Sequence, residues 1–199
     1  MMIYFVRHGE TDFNLQKIYA GRTNIPLNQR GVVQAKVTAA ELKDIKFDVC
    51  FCSPLLRAVQ TCDEILKFHP ETSVITDARL MERNYGDLEK KSKLNLTYNL
   101  WLVGEDEKGK EVYNIETIAE ISKRVSDFYN EILPKYKNKN ILIVAHSGIG
   151  RVSEAYFHGA PKNNDYSKIR FSNAEVAVFD DSLNTKKEKC SNNVVFGNG

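Results

Sequence analysis

The sequence predicts an α/β protein built on a mainly parallel sheet. Short runs rich in β-branched and aromatic residues alternate with stretches whose apolar residues recur every three or four positions. That alternation is the signature of strands joined by crossover helices. The chain has 199 residues and is 42% apolar, enough to bury one substantial core, so a single domain spanning 1–199 is expected.

In chain order, Ile3 to Val6 is the first strand candidate, and Val32 to Leu42 follows with a helical apolar stripe. Phe47 to Cys52 reads as the second strand. Ser53-Pro54 then reads as an N-cap and an N1 proline, which starts a helix at Leu55 and puts Arg57 in its first turn. Val74 to Ile75 is a third, short strand. Ile115, Ile118, Ile121, Val125, Phe128 and Ile132 define a long amphipathic helix that Pro134 is expected to end. Ile141 to Ala145 and Ala174 to Phe179 complete the strands, and Val194-Val195-Phe196, beyond Asp181-Ser182-Leu183-Asn184 and a lysine-rich patch, predicts a final hairpin on the sheet edge. One segment breaks the alternation. Between Arg83 and Tyr113 lie the lysines Lys90, Lys91 and Lys93, the apolar Leu100-Trp101-Leu102, and a charged stretch from Gly104 to Gly109. It reads as an insertion at about 83–113 over one end of the sheet, either a lid or an ordinary surface excursion with Trp101 packed on the core.

Charge and composition exclude several functions. Lys plus Arg total 28 against 26 Asp plus Glu, a net charge of +2, so the broad positive field of a nucleic-acid or membrane-surface binder is lacking. The apolar run Ile3 to Val6 is too short for a signal segment or a membrane span, which predicts a cytoplasmic protein. Cys50, Cys52, Cys62 and Cys190 show no CxxC spacing and read as buried reduced thiols, the first two on one face of a strand. His8, His69, His146 and His158 lack metal-ligand spacing, so no metal is expected.

In a parallel sheet, function collects where strands end and helices begin, because free N–H groups and the positive dipole end point there. Arg7-His8-Gly9 ends the first strand, Arg57 follows the second within a turn, and His146-Ser147-Gly148 ends the Ile141 to Ala145 strand. Two imidazoles and two guanidiniums make a carboxylate-poor pocket, and the fork of a guanidinium matches a phosphate bidentately.

Arg7-His8-Gly9-Glu10-Thr11 with Asn14 resembles the signature of the histidine phosphatase superfamily, the phosphoglycerate mutase-like family. Further blocks resemble it in order: Gly21, Pro26-Leu27 and Gly31 to Ala35; Ser53 to Ala58 with Thr61; Leu80-Met81-Glu82 with Gly86 and Glu89; Glu116-Thr117; and Val144-Ala145-His146 with Arg151. The resemblance implies a three-layer α/β/α sandwich. It implies that His8 takes the phosphoryl group as a phosphohistidine, that Arg7, Arg57 and His146 bind its oxygens, and that Glu82 is the general acid and then the base. Asn14, Gly21 and Ser147 would join the substrate-binding groups, and Glu10 would be a structural hydrogen-bonding residue.

Departures from the family pattern bear on the acceptor. Ser147 stands where the family usually has glycine, Ala20 replaces a threonine of the mutases, and no adjacent arginine pair follows Arg83-Asn84-Tyr85. Lys90, Lys91 and Lys93 are then the concentrated charge left to meet a second anionic group. The reading is a metal-independent phosphatase of a small phosphorylated metabolite, with no cofactor. The alternatives are a 2,3-bisphosphoglycerate-dependent phosphoglycerate mutase, which would need that cofactor, an α-ribazole-type phosphatase and, more remotely, a non-catalytic phospho-ligand binding protein. The sequence leaves the oligomeric state open and places selectivity in the Arg83 to Tyr113 segment.

Overall fold

The computed structural model describes residues 1–96 and 98–180. Five strands, β1 (Met2–Arg7), β2 (Val49–Cys52), β3 (Ser73–Thr76), β4 (Asn140–Ala145) and β5 (Val176–Asp180), form one sheet in the order β3-β2-β4-β1-β5. The first four are mutually parallel, and β5 runs antiparallel along β1 at one edge. The alternation of side chains sorts the core into two layers. Ile3, Phe5, Val49, Phe51, Ile141 and Ile143 face one side, where helices α5 (Ile118–Lys135) and α6 (Ser147–His158) supply Ile121, Val125, Phe128 and Ile149. Val6, Cys50, Cys52, Leu142 and Val144 face the other, covered by Ala39 and Leu42 of α2 (Gln29–Leu42), which follows the single-turn helix α1 (Asp12–Leu15), and by Ala58, Cys62 and Ile65 of α3 (Leu56–Leu66). The α/β/α layering and the buried, reduced Cys50, Cys52 and Cys62 match the expectation. Cys190 and the second hairpin arm at 194–196 lie outside the described residues.

Three local expectations need correction. Ser53 does not cap α3. That helix begins at Leu56, whose N–H donates to Asn24 Oδ1 at 2.7 Å, a cap contributed from 32 residues earlier. The Ser53 hydroxyl accepts from the Leu55 N–H at 3.3 Å, just ahead of the helix, and pairs with His146 Nε2 at 2.7 Å. The long helix starts after Thr117, which forms a capping box with Glu120, so Ile115 belongs to a separate small cluster with Leu88 and Leu100. Its end lies one residue past Pro134, because the fixed φ of proline is itself helical and fits a last turn.

The 83–113 segment is mostly irregular, with two short 3-10 turns ahead of helix α4 (Glu105–Tyr113). Arg83 anchors it from within. Its fully buried guanidinium donates to the carbonyls of Glu116 and Leu100 and lies 3.6 Å from the buried carboxylate of Asp106. Trp101 packs against the core and also forms part of a cleft wall.

Candidate active site

The parallel register pairs Arg7 with Ala145, so the next residues of β1 and β4, His8 and His146, emerge side by side with ring centroids 5.1 Å apart. They stand at the carboxyl ends of adjacent central strands, where helix α6 also begins. A cleft of about 440 Å³ opens there.

His8 is the most constrained group. Its Nδ1 lies 2.6 Å from the Gly9 carbonyl, which can only accept, so Nδ1 carries the proton. Arg57 Nε–H donates to His8 Nε2 across 3.2 Å, so that nitrogen presents its lone pair. Burial, followed by the positive charges of Arg57 and Arg7, holds the imidazole pKa well below the usual histidine range. The ring is therefore neutral, with its proton on Nδ1 and its lone pair on Nε2.

Arg57 is buried and fixed at its far end by the carbonyls of Gly21, at 2.8 Å, and Thr23, at 2.9 Å. Desolvation lowers its pKa to about 10, which still leaves it charged at neutral pH. Gly21 thus acts through its carbonyl. Its φ of +49° suits glycine, and a Cβ there would meet Glu89 Oε1 at 2.0 Å. Arg7 donates to the Phe171 carbonyl while its buried Nε has no protein partner.

Glu82 lies in the same cleft, nearly buried. Its Oε1 accepts from the Arg83 N–H at 2.8 Å and its Oε2 from the Gly148 N–H at 3.3 Å. The first turn of α6 therefore serves the carboxylate. A Cβ on Gly148 would come within 2.1 Å of Glu82 Oε1, so the close approach requires glycine.

Asn14 Oδ1 accepts from the Thr11 N–H and from Asn173, which directs its amide nitrogen away from those donors at the cleft wall. Ser147 and Ala20 also line the wall. His146 is fully buried behind it, with Nε2 on Ser53 and Nδ1 without a protein partner. Burial and the charge of Arg57 depress its pKa well below the usual range. Glu10 is structural, accepting from Asn28 at 3.1 Å.

The expectation for the lysines is corrected. Of Lys90, Lys91 and Lys93, only Lys93 reaches the cleft, where it lies over the Tyr19 ring at 5.4 Å. The further cations are Arg151 and Arg170, from α6 and the loop ahead of β5, and Tyr85, Trp101 and Ser167 complete this side. Arg151 had a legible signal, since it follows Ser147 by four residues and shares its helix face. Arg170 and Ser167 had none. Among the described residues, no group of His, Cys, Asp and Glu side chains is arranged to hold a metal, and no helix is long and apolar enough to cross a membrane.

An α/β sheet with paired histidines, arginine forks and one carboxylate at its switch point defines a site for a tetrahedral oxyanion. The model of the histidine phosphatase superfamily (branch 1) matches residues 3–193, and the chain belongs to that family. It is 36% identical over 149 residues to the uncharacterised phosphatase PhoE of Bacillus subtilis, covering 72% of this chain and 70% of that one. It is 34% identical over 157 residues to a 2,3-bisphosphoglycerate-dependent phosphoglycerate mutase of Sinorhizobium fredii, covering 72% and 73%. Among solved structures, a mutant phosphoserine phosphatase of Entamoeba histolytica in complex with phosphoserine superposes with a TM-score of 0.77 at 27% identity, covering 90% of each chain. With relatives that are phosphatases and mutases, the protein is an enzyme of this superfamily.

Proposed function

We propose that the protein hydrolyses a small phosphomonoester through a phosphohistidine on His8. The observation that carries the reading is the neutral, buried His8, whose Nε2 lone pair meets Arg57 at the wall of a cationic cleft that also holds Glu82. In the first step Nε2 attacks phosphorus, the P–O bond to the alcohol breaks, and Glu82 delivers a proton to the departing oxygen. In the second, a water attacks phosphorus, Glu82 takes its proton, and the P–N bond breaks to release phosphate. Arg7, Arg57 and Asn14 hold the oxygens whose charge spreads in the transition state. The buried, unpartnered Nδ1 of His146 is a polar atom in want of a partner, and a phosphoryl oxygen would satisfy it. The arginines supply the positive charge that a metal ion would otherwise bring, so neither a metal nor a cofactor takes part.

A mutase is the second reading, favoured by the cations Lys93, Arg151 and Arg170 beyond the phosphate site and by the similarity to the Sinorhizobium fredii mutase. Two measurements test the proposal. Brief incubation with a labelled phosphomonoester should put an acid-labile, alkali-stable label on the peptide containing His8. Phosphate release from 3-phosphoglycerate should outrun its interconversion when 2,3-bisphosphoglycerate is supplied, and the opposite ranking would establish the mutase.

A further inference from the structure

Resting on the phosphatase reading, we propose that the substrate carries a second anionic group, a carboxylate or another phosphate, and that Arg151 and Arg170 bind it. Arg7, Arg57, Lys93, Arg151 and Arg170 line the cleft, and Glu82 is the one carboxylate among the lining residues. With both histidines neutral, about four positive charges remain uncompensated, and a phosphomonoester dianion answers about two of them. None of the five cations forms a salt bridge with a carboxylate among the described residues. Such crowding is costly without a ligand: burial holds the pKa of Arg151 below its usual value, Tyr85 and Glu82 oppose that, and Arg170 and Arg83 add to it.

The geometry assigns the excess. Arg7 and Arg57 flank His8 and are taken by the reacting phosphate. The guanidinium of Arg151 lies over the Trp101 ring at 4.8 Å, and its Nη1 donates to the Tyr166 carbonyl. Trp101 is fixed in turn by Nε1 donating to the Tyr85 hydroxyl at 3.1 Å, with Arg83 over the same ring at 4.6 Å. The fork of Arg151 is thus held in place, with Nη2 and Nε left for a ligand. Arg170 is exposed and lines the same side of the cleft, so it can close on a ligand from solvent. A held fork and a free one, within a cleft of about 440 Å³, suit a short molecule with anions at both ends.

Two matched pairs of esters test this. 3-Phosphoglycerate and glycerol 3-phosphate share a three-carbon skeleton and differ by a carboxylate. Propane-1,3-diol bisphosphate and its monophosphate differ by a second phosphate. Wild-type kcat/KM for phosphate release should favour the doubly anionic member of at least one pair on the order of ten-fold or more, and the pair that responds identifies the group. Arg170→Gln, at an exposed position that folding does not need, should reduce that preference to under about three-fold, and Arg151→Gln should do the same. Quenching of Trp101, the sole tryptophan, reads binding of the same four esters without turnover. Discrimination in binding that both variants remove, with no ester hydrolysed, would overturn the phosphatase reading and leave the second-anion site standing. Wild-type preferences under about three-fold in both pairs, or a preference that both variants retain, would overturn the site itself.

Discussion

Arg57 Nε points its hydrogen at His8 Nε2 across 3.2 Å, so a guanidinium occupies the lone pair that a phosphorus atom would meet. Under the proposed mechanism an incoming phosphoryl group would take over that donor, so that a contact with His8 becomes a contact with the developing charge. Arg57→Ala should therefore lower kcat on the order of 10²–10³-fold, equivalent to about 2.7–4 kcal/mol of transition-state stabilisation. His8→Ala should abolish turnover. Steady-state kinetics decide, and a loss of only a few-fold in Arg57→Ala would remove the guanidinium from the reaction.

The carboxylate of Glu82 is expected to matter in proportion to what leaves. Glu82→Gln keeps the shape and the acceptor oxygen but cannot deliver and retrieve the proton. Its rate loss should be largest for alkyl phosphates and smallest for a nitrophenyl ester, whose oxygen needs little protonation. An equal loss on both would mean that Glu82 only binds.

Neutral, buried His8 and His146 make stability depend on pH. Both have folded-state pKa values well below 6.5, set first by burial and then by neighbouring guanidiniums. Below about pH 6.5 the unfolded chain binds two protons that the folded chain does not, so stability falls with falling pH by up to about 1.4 kcal/mol per pH unit per histidine. Above that pH their contribution is flat. Urea denaturation of the wild type and of His146→Gln between pH 7.5 and 5 should show a shallower acid slope in the variant, and parallel slopes would refute it.

The buried pair Arg83–Asp106 should be asymmetric towards mutation. Asp106→Ala strands a guanidinium with no solvent exposure and removes the acceptor for the N–H of Ile118 at the start of α5. The expected cost is about 3–5 kcal/mol. A change under about 1 kcal/mol in a denaturant titration would show that the pair is dispensable.

Activity should survive a chelator unchanged, since the cations that stabilise charge here are guanidiniums. Vanadate, which adopts the five-coordinate geometry of in-line transfer, should compete with substrate. Restoration of a chelated enzyme by a divalent ion would contradict this.

Local pattern along the chain is enough for the strands, their succession and the charged groups that stand at strand ends. Each rests on local chemistry: the alternation of strand and helix patterns, and charged or imidazole residues placed at strand ends by motifs a few residues long. His8 and Arg57 are legible in this way, Glu82 only through the family resemblance, and the three line one cleft. Packing across 49 positions of chain sets Arg57 on His8 Nε2, while the neighbouring Gly9 carbonyl holds the proton on Nδ1, and the two together assign the lone pair. Tertiary structure also decided that Ser53 pairs with His146, and that Asn24 caps α3 in its place. The outer cations show the same limit. Lys90 and Lys91 look more conspicuous in the sequence than Arg170, yet Arg170 lines the cleft and they do not. Local pattern records which face of an element is apolar; it carries no record of where a loop ends after the chain has crossed the sheet, and long-range packing sets that position.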